Sequence, residues 1–240
     1  MSLLRNNPGR TAGFLYLLLL AAPLRLIYIP SVVVVRGDAT ATAANITAHE
    51  TLFRIGLVSE LFTAMMLIFL VLAFYRLFKG VSQYLAVLVI ILGGVMPACM
   101  SFFNVVHDAA ALILVKGADF LTVFDKPQRD ALAMLFLRLH GQTTTAAMML
   151  WGAWLFPLGL LVYRSRFLPR FIGVWLLLNG LAYVVTSLTG LLWPEYQDMV
   201  SNVTFPVLFG ELALMLWLGI KGVTQEAVDA RTLQGETRVA

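Results

Sequence analysis

Hydrophobic residues run along the chain in six long blocks separated by short polar segments: Thr11–Val35, Leu52–Phe78, Tyr84–Val115, Arg129–Tyr163, Phe171–Trp193 and Val203–Lys221. A barrel strand would alternate apolar and polar residues with a period of two, whereas Leu67-Ile68-Phe69-Leu70-Val71-Leu72 is unbroken. A helix crossing a bilayer takes about 20 predominantly apolar residues. Each block therefore predicts one such helix, and the chain an all-α, polytopic six-helix transmembrane bundle. The third and fourth blocks exceed what a bilayer needs and should tilt, kink or project beyond it. Arg5 and Arg10 ahead of the first block imitate a secretory leader, with Ala39-Thr40-Ala41 as a cleavage site. A leader's apolar region is only about 7–15 residues long, and Arg25 interrupts this one, so it reads as a retained first helix.

Composition agrees. Of 240 residues, 60% are hydrophobic and 12% charged, with a mean hydropathy of +0.86. A soluble domain carries roughly 25% charged residues, so soluble, disordered and nucleic-acid-binding classes are excluded. The single cysteine, Cys99, excludes a disulfide scaffold and reads as an inert buried thiol. Positive charge sets the orientation. Arg5, Arg10, Arg76, Lys79, Arg164, Arg166, Arg170, Lys221, Arg231 and Arg238 fall on one side, and only Arg36, Lys116, Lys126 and Arg129 on the other. The positive-inside rule then places both termini in the cytoplasm and the protein in the cell's inner (plasma) membrane. Residues 1–222 form the membrane domain, and 223–240 a polar tail expected to be mobile. The segments Arg36–Thr51, Lys116–Gln128 and Pro194–Asn202 become outer connections.

The candidate chemistry lies in residues that do not belong in lipid. Arg25, Glu60, His107, Asp108, Arg138, His140 and Glu211 all sit roughly 10–17 Å inward from the outer ends of their blocks. Each costs about 2.5–3.5 kcal/mol on an insertion scale if it faces lipid, so convergence on the bundle interior is the economical solution. Asn104, His107 and Asp108 share a helix face by their spacing, as do His140, Thr143 and Thr144, and Gly56, Glu60 and Thr63. Pro97 with Gly93-Gly94 can bend the third helix, and Pro23 and Pro30 flank Arg25. These residues predict a polar cavity towards the outer face.

Several chemistries fit such a layer. Arg25 and Arg138 could hold an anionic group while Glu60 and Glu211 carry protons, which gives binding of a small or lipidic ligand, or transport. Six helices are few for a carrier, so transport implies a homodimer. His107 and His140 are the candidate ligands for a metal, or for one haem, although no metal-binding motif is present. An intramembrane enzyme would use the same Glu and His residues. In a structural or regulatory protein, Arg25–Glu60 and Glu211–Arg138 pairs would simply tie helices together.

Arg10-Thr11-Ala12-Gly13-Phe14-Leu15-Tyr16, Leu139-His140-Gly141, Trp154 to Ser165, Phe167-Leu168-Pro169-Arg170 and Gly210 to Gly222 occur in order along nearly the whole chain. In these motifs the sequence resembles the bacterial membrane proteins grouped as domain of unknown function 4386. The resemblance implies a multi-pass membrane protein. It matches Glu60, His140 and Glu211 to polar helix positions of that family, but not Asn104, His107 or Asp108, and it carries no activity across.

Overall fold

The computed structural model describes residues 7–236, with side chains through residue 230. Arg5, Arg238 and the side chain of Arg231 lie outside the described residues. Among those described, all regular structure is helical. Six helices among the described residues are long and apolar enough to cross a membrane: α1 (Pro8–Val33), α3 (Glu50–Phe78), α4 (Gln83–Lys116), α5 (Lys126–Ser165), α6 (Arg170–Leu192) and α7 (Pro194–Ile220). At 1.5 Å per residue the 40 residues of α5 extend about 60 Å, twice a bilayer's apolar core.

The three segments expected as outer connections are partly helical. Asp38 accepts a hydrogen bond from the Ala41 amide and starts α2 (Ala39–Ala48). Asp119–Leu121 forms a 3-10 turn. Residues 194–202, expected as an outer connection, begin α7 instead. The polar tail folds as α8 (Gln225–Glu236), with Val228 buried in the apolar core. Cys99, expected to be buried, is exposed, as befits an apolar thiol on a lipid-facing surface.

At the two proline-flanked positions anticipated as bends, the helix widens to a π turn, Leu24–Tyr28 in α1 and Ile91–Val95 in α4. Each closes at the residue just before a proline: the Ile29 amide bonds Leu24 O and the Met96 amide bonds Ile91 O. The ring of Pro30 or Pro97 crowds the carbonyl four residues earlier, and the wider turn accommodates it.

The chain divides into two compact units. The first comprises Met1–Leu19, Met65–Ala98 and Thr145–Ala240. Its core includes Phe74, Phe78, Leu155, Leu158, Leu161, Ile172 and Leu176. Here α5 and α6 meet along small residues spaced by seven: Thr145, Gly152 and Gly159 against Ser187, Gly180 and Gly173. Ser187 Oγ donates to Thr145 O at 2.8 Å. A Cβ on Gly159 would stand 2.8 Å from Gly173 O, and one on Gly173 equally close to Gly159 O. Only side-chain-free positions let the backbones approach so closely, the usual device where lipid gives helices no hydrophobic reason to associate. In the same unit Asn7 Oδ1 caps α1 at the Arg10 amide and also accepts from the Val223 amide, both at 2.9 Å. The start of α1 and the residues just after α7 thus meet on one side, where an even number of spans puts them.

The second unit comprises Leu20–Ala64 and Cys99–Thr144. Ile29, Val33, Ile46, Phe53 and Leu112 form one apolar cluster, and Ala111, Leu114, Leu121 and Ala133 another. Its polar interior is the candidate site.

Candidate functional site: a buried ion cluster

The π turn of α1 carries Arg25 into the interior of the second unit, where only 4% of it is exposed. Its guanidinium bonds Asp108 of α4 through both Nε (2.7 Å) and Nη2. Nε also lies 3.8 Å from Glu60 Oε2 of α3, and Phe53 lies beneath the cation at 5.9 Å. Asp108 is fully buried, while Glu60 and His140 are nearly so. Gly56, one turn before Glu60, leaves room for the Arg25 stem: a methyl there would collide with Ile29 Cδ1 and lie 3.1 Å from Arg25 Cδ. Gly56→Ala is therefore expected to cost about 1 kcal/mol. Trimming Ile29 to valine in the same chain should recover most of it, read as the thermal midpoint in detergent.

His140 of α5 completes the cluster. Its Nδ1 lies 3.1 Å from Arg25 Nη2 and 3.2 Å from Asp108 Oδ1, and its Nε2 lies 4.0 Å from Glu60 Oε2. Guanidinium can only donate and carboxylate only accept. A neutral ring accepting from Arg25 at Nδ1 keeps its proton on Nε2, towards Glu60. A ring protonated at Nδ1 serves Asp108 instead. One nitrogen cannot satisfy both neighbours, so the ring's proton decides the pairing. Thr144 donates to His140 O at 3.0 Å and accepts from Asn104 Nδ2 at 3.3 Å, which attaches Asn104 to the same network.

Two oxygens of this cluster, Glu60 Oε2 and Asn104 Oδ1, are buried without a hydrogen-bond partner, and Asp108 Oδ1 has one only when the His140 ring carries its proton on Nδ1. Two carboxylates face one guanidinium. With His140 neutral and both carboxylates ionised, the cluster is one positive charge short of neutrality, and its unsatisfied groups are acceptors.

The structure thus brings together Arg25, Glu60, Asn104, Asp108 and His140. His107 turns aside to Phe136, ring centroids 6.3 Å apart, with its Nδ1 buried and unpaired. Arg138 is exposed. Glu211 belongs to the first unit, where Tyr16 donates to its Oε2 at 2.7 Å and Asn179 Nδ2 lies 3.5 Å from its Oε1. Nearer the helix ends, Glu50 pairs with both Arg54 (2.8 Å) and Lys116 (3.0 Å) on the surface. Such exposed pairs contribute little to stability.

The donors that could hold a metal are Glu60, Asp108 and His140, whose ligand atoms lie within 4.8 Å of one another; His107 is not part of this group. Arg25, however, already touches Asp108 and His140 and points Nε at Glu60. Its guanidinium is the resident cation at the place where a metal would sit.

Six apolar spans and a buried ion cluster define a multi-pass α-helical membrane protein. A family model described as Domain of unknown function (DUF4386) matches residues 11–222, and the chain belongs to that family. An uncharacterized protein of Archaeoglobus fulgidus is 35% identical over 71 residues, which is 30% of this chain and 41% of that protein. The chain thus spans about two-fifths of that relative's length. No solved structure matches.

Proposed function

We propose that the protein is a membrane-embedded binding protein whose cluster of Arg25, Glu60, Asn104, Asp108 and His140 takes a small or lipidic ligand through a cationic, hydrogen-bond-donating group of the ammonium type. The observation that carries this reading is the surplus of acceptors: two buried oxygens lack donors, a third depends on the His140 proton, and two carboxylates face one guanidinium. A bound ammonium group supplies both the charge and the donors. An anionic ligand on Arg25 has weaker support, because Asp108 already occupies that guanidinium. The charge distribution supports an orientation with both termini in the cytoplasm of a plasma membrane and the cluster in the outer half. Transport of the ligand, which would suit a dimer, uses the same residues.

A metal-dependent site is the second reading, favoured by the donor spacing of Glu60, Asp108 and His140. It requires Arg25 to swing away.

Thermal unfolding of the detergent-solubilised protein distinguishes these readings. Methylammonium and ethanolammonium chlorides are expected to raise the midpoint, and the rise should vanish in Glu60→Gln. Stabilisation by acetate or phosphate instead would restore the anion reading. Stabilisation by Mn²⁺ or Zn²⁺ that is lost in His140→Gln would favour the metal.

A further inference from the structure

One end of the first unit carries a basic surface that the ion cluster leaves unused. Residues 61–107 and 131–194 contain no Asp or Glu. Within them Arg76 and Lys79 stand at the end of α3, and Arg166 and Arg170 flank the turn from α5 to α6. Phe78 and Phe167 draw the α3–α4 and α5–α6 turns together, their rings stacked with centroids 5.8 Å apart. Lys79 and Arg166 are the chain neighbours of that pair. All four basic residues are exposed. Among the described residues none of them joins an ion pair, and the exposed acids of α8, Glu226 and Asp229, do not answer them. Arg170 lies instead over the Tyr163 ring, with Cζ 5.5 Å from its centre.

The backbone singles out one of these side chains. Gly117 and Gly222, just beyond α4 and α7, have φ of 72° and 71°, a left-handed conformation that glycine adopts freely. Arg166, just beyond α5, has φ of 65° and is the one non-glycine residue with positive φ among the described residues. A side chain kept at a strained position that glycine would fill more easily points to a use for that side chain. The adjoining helix faces indicate what the use is. Leu72, four residues before Arg76, and Val174, four after Arg170, are both exposed, so apolar surface borders the basic one. A phosphate joined to acyl chains matches both surfaces, whereas a free phosphate matches only the basic one. We propose that Arg76, Lys79, Arg166 and Arg170 hold the headgroup of an anionic phospholipid at the membrane surface beside the two turns. Basic clusters next to spans attract such lipids, each Lys or Arg being worth about fivefold in affinity.

The test uses the full-length protein in maltoside micelles doped with phosphatidylglycerol or phosphatidylcholine. It is read as the thermal midpoint and, by native mass spectrometry, as lipid retained on the protein. The expected result is a saturable rise of the midpoint and retained lipid with phosphatidylglycerol alone. Arg166→Gly removes the strain together with the cation. Its lipid-free midpoint should therefore equal or exceed that of the wild type, while its affinity for phosphatidylglycerol falls about fivefold. Replacing Arg166 and Arg170 together by glutamine should lower that affinity about 25-fold. Arg36→Gln removes an exposed cation from the second unit and should leave it unchanged. Equal effects of the two lipids, or undiminished retention in the double variant, would overturn the proposal. So would a loss as large in Arg36→Gln as in Arg166→Gly, or a rise reproduced by inorganic phosphate without lipid.

Discussion

Truncating Asp108 to alanine is expected to destabilise the protein by about 3–5 kcal/mol, because it leaves the Arg25 guanidinium buried without its main partner. Asp108 is fully buried and Arg25 4% exposed, so water cannot stand in for the lost carboxylate without opening the unit. Glu60, with Oε2 at 3.8 Å, is too far away to take over. Removing both ends of the pair should be much milder: an Arg25→Leu, Asp108→Leu chain strands no charge, and buried ion pairs replaced by apolar residues are often neutral or stabilising. Thermal or denaturant unfolding in detergent checks both. A single Asp108→Ala protein as stable as wild type would mean that the guanidinium is not sealed from water.

The second large effect is expected at the glycine seam. Gly159→Val or Gly152→Val places a branched side chain against the Gly173 or Gly180 carbonyl, which belongs to a helix backbone and cannot rotate aside. Separating α5 from α6 to make room should cost about 3 kcal/mol, the upper part of the usual range for overpacking. Gly219→Ala is the control: a Cβ there meets nothing within 4 Å, so its midpoint should stay within about 1 kcal/mol of wild type. Equal losses at Gly152, Gly159 and Gly219 would show that the seam is not a specific contact.

The spans were legible because lipid demands length and apolarity, which a linear sequence displays directly. A shared count from the block ends singled out Arg25, Glu60, Asp108 and His140, whose side chains meet in the structure. Rotation about the helix axis was harder. Arg138 and His140 are two residues apart, about 200° around a helix, so they cannot share an inward face. The structure turns His140 in and Arg138 out. Asn104 and Asp108, four apart, remain together, while His107 turns towards Phe136. Glu211 shares the others' depth count but belongs to a different unit, a distinction that depth alone does not carry. Its neighbours Tyr16 and Tyr183 escaped notice because a tyrosine inside an apolar block carries no formal charge to mark it as out of place. The seven-residue spacing of Gly152 and Gly159 with Gly173 and Gly180 is visible in the sequence, but only when small residues are counted rather than charged ones.

Calorimetric titration of ethanolammonium into the wild type, Glu60→Gln and Glu211→Gln proteins tests the central assignment most directly, because the two variants remove similar carboxylates from different units. Binding that weakens at least tenfold, about 1.4 kcal/mol, in Glu60→Gln and holds in Glu211→Gln is the predicted result. Equal affinity in wild type and Glu60→Gln, or no binding to any of the three, would contradict the assignment of the cluster as a site for a cationic group.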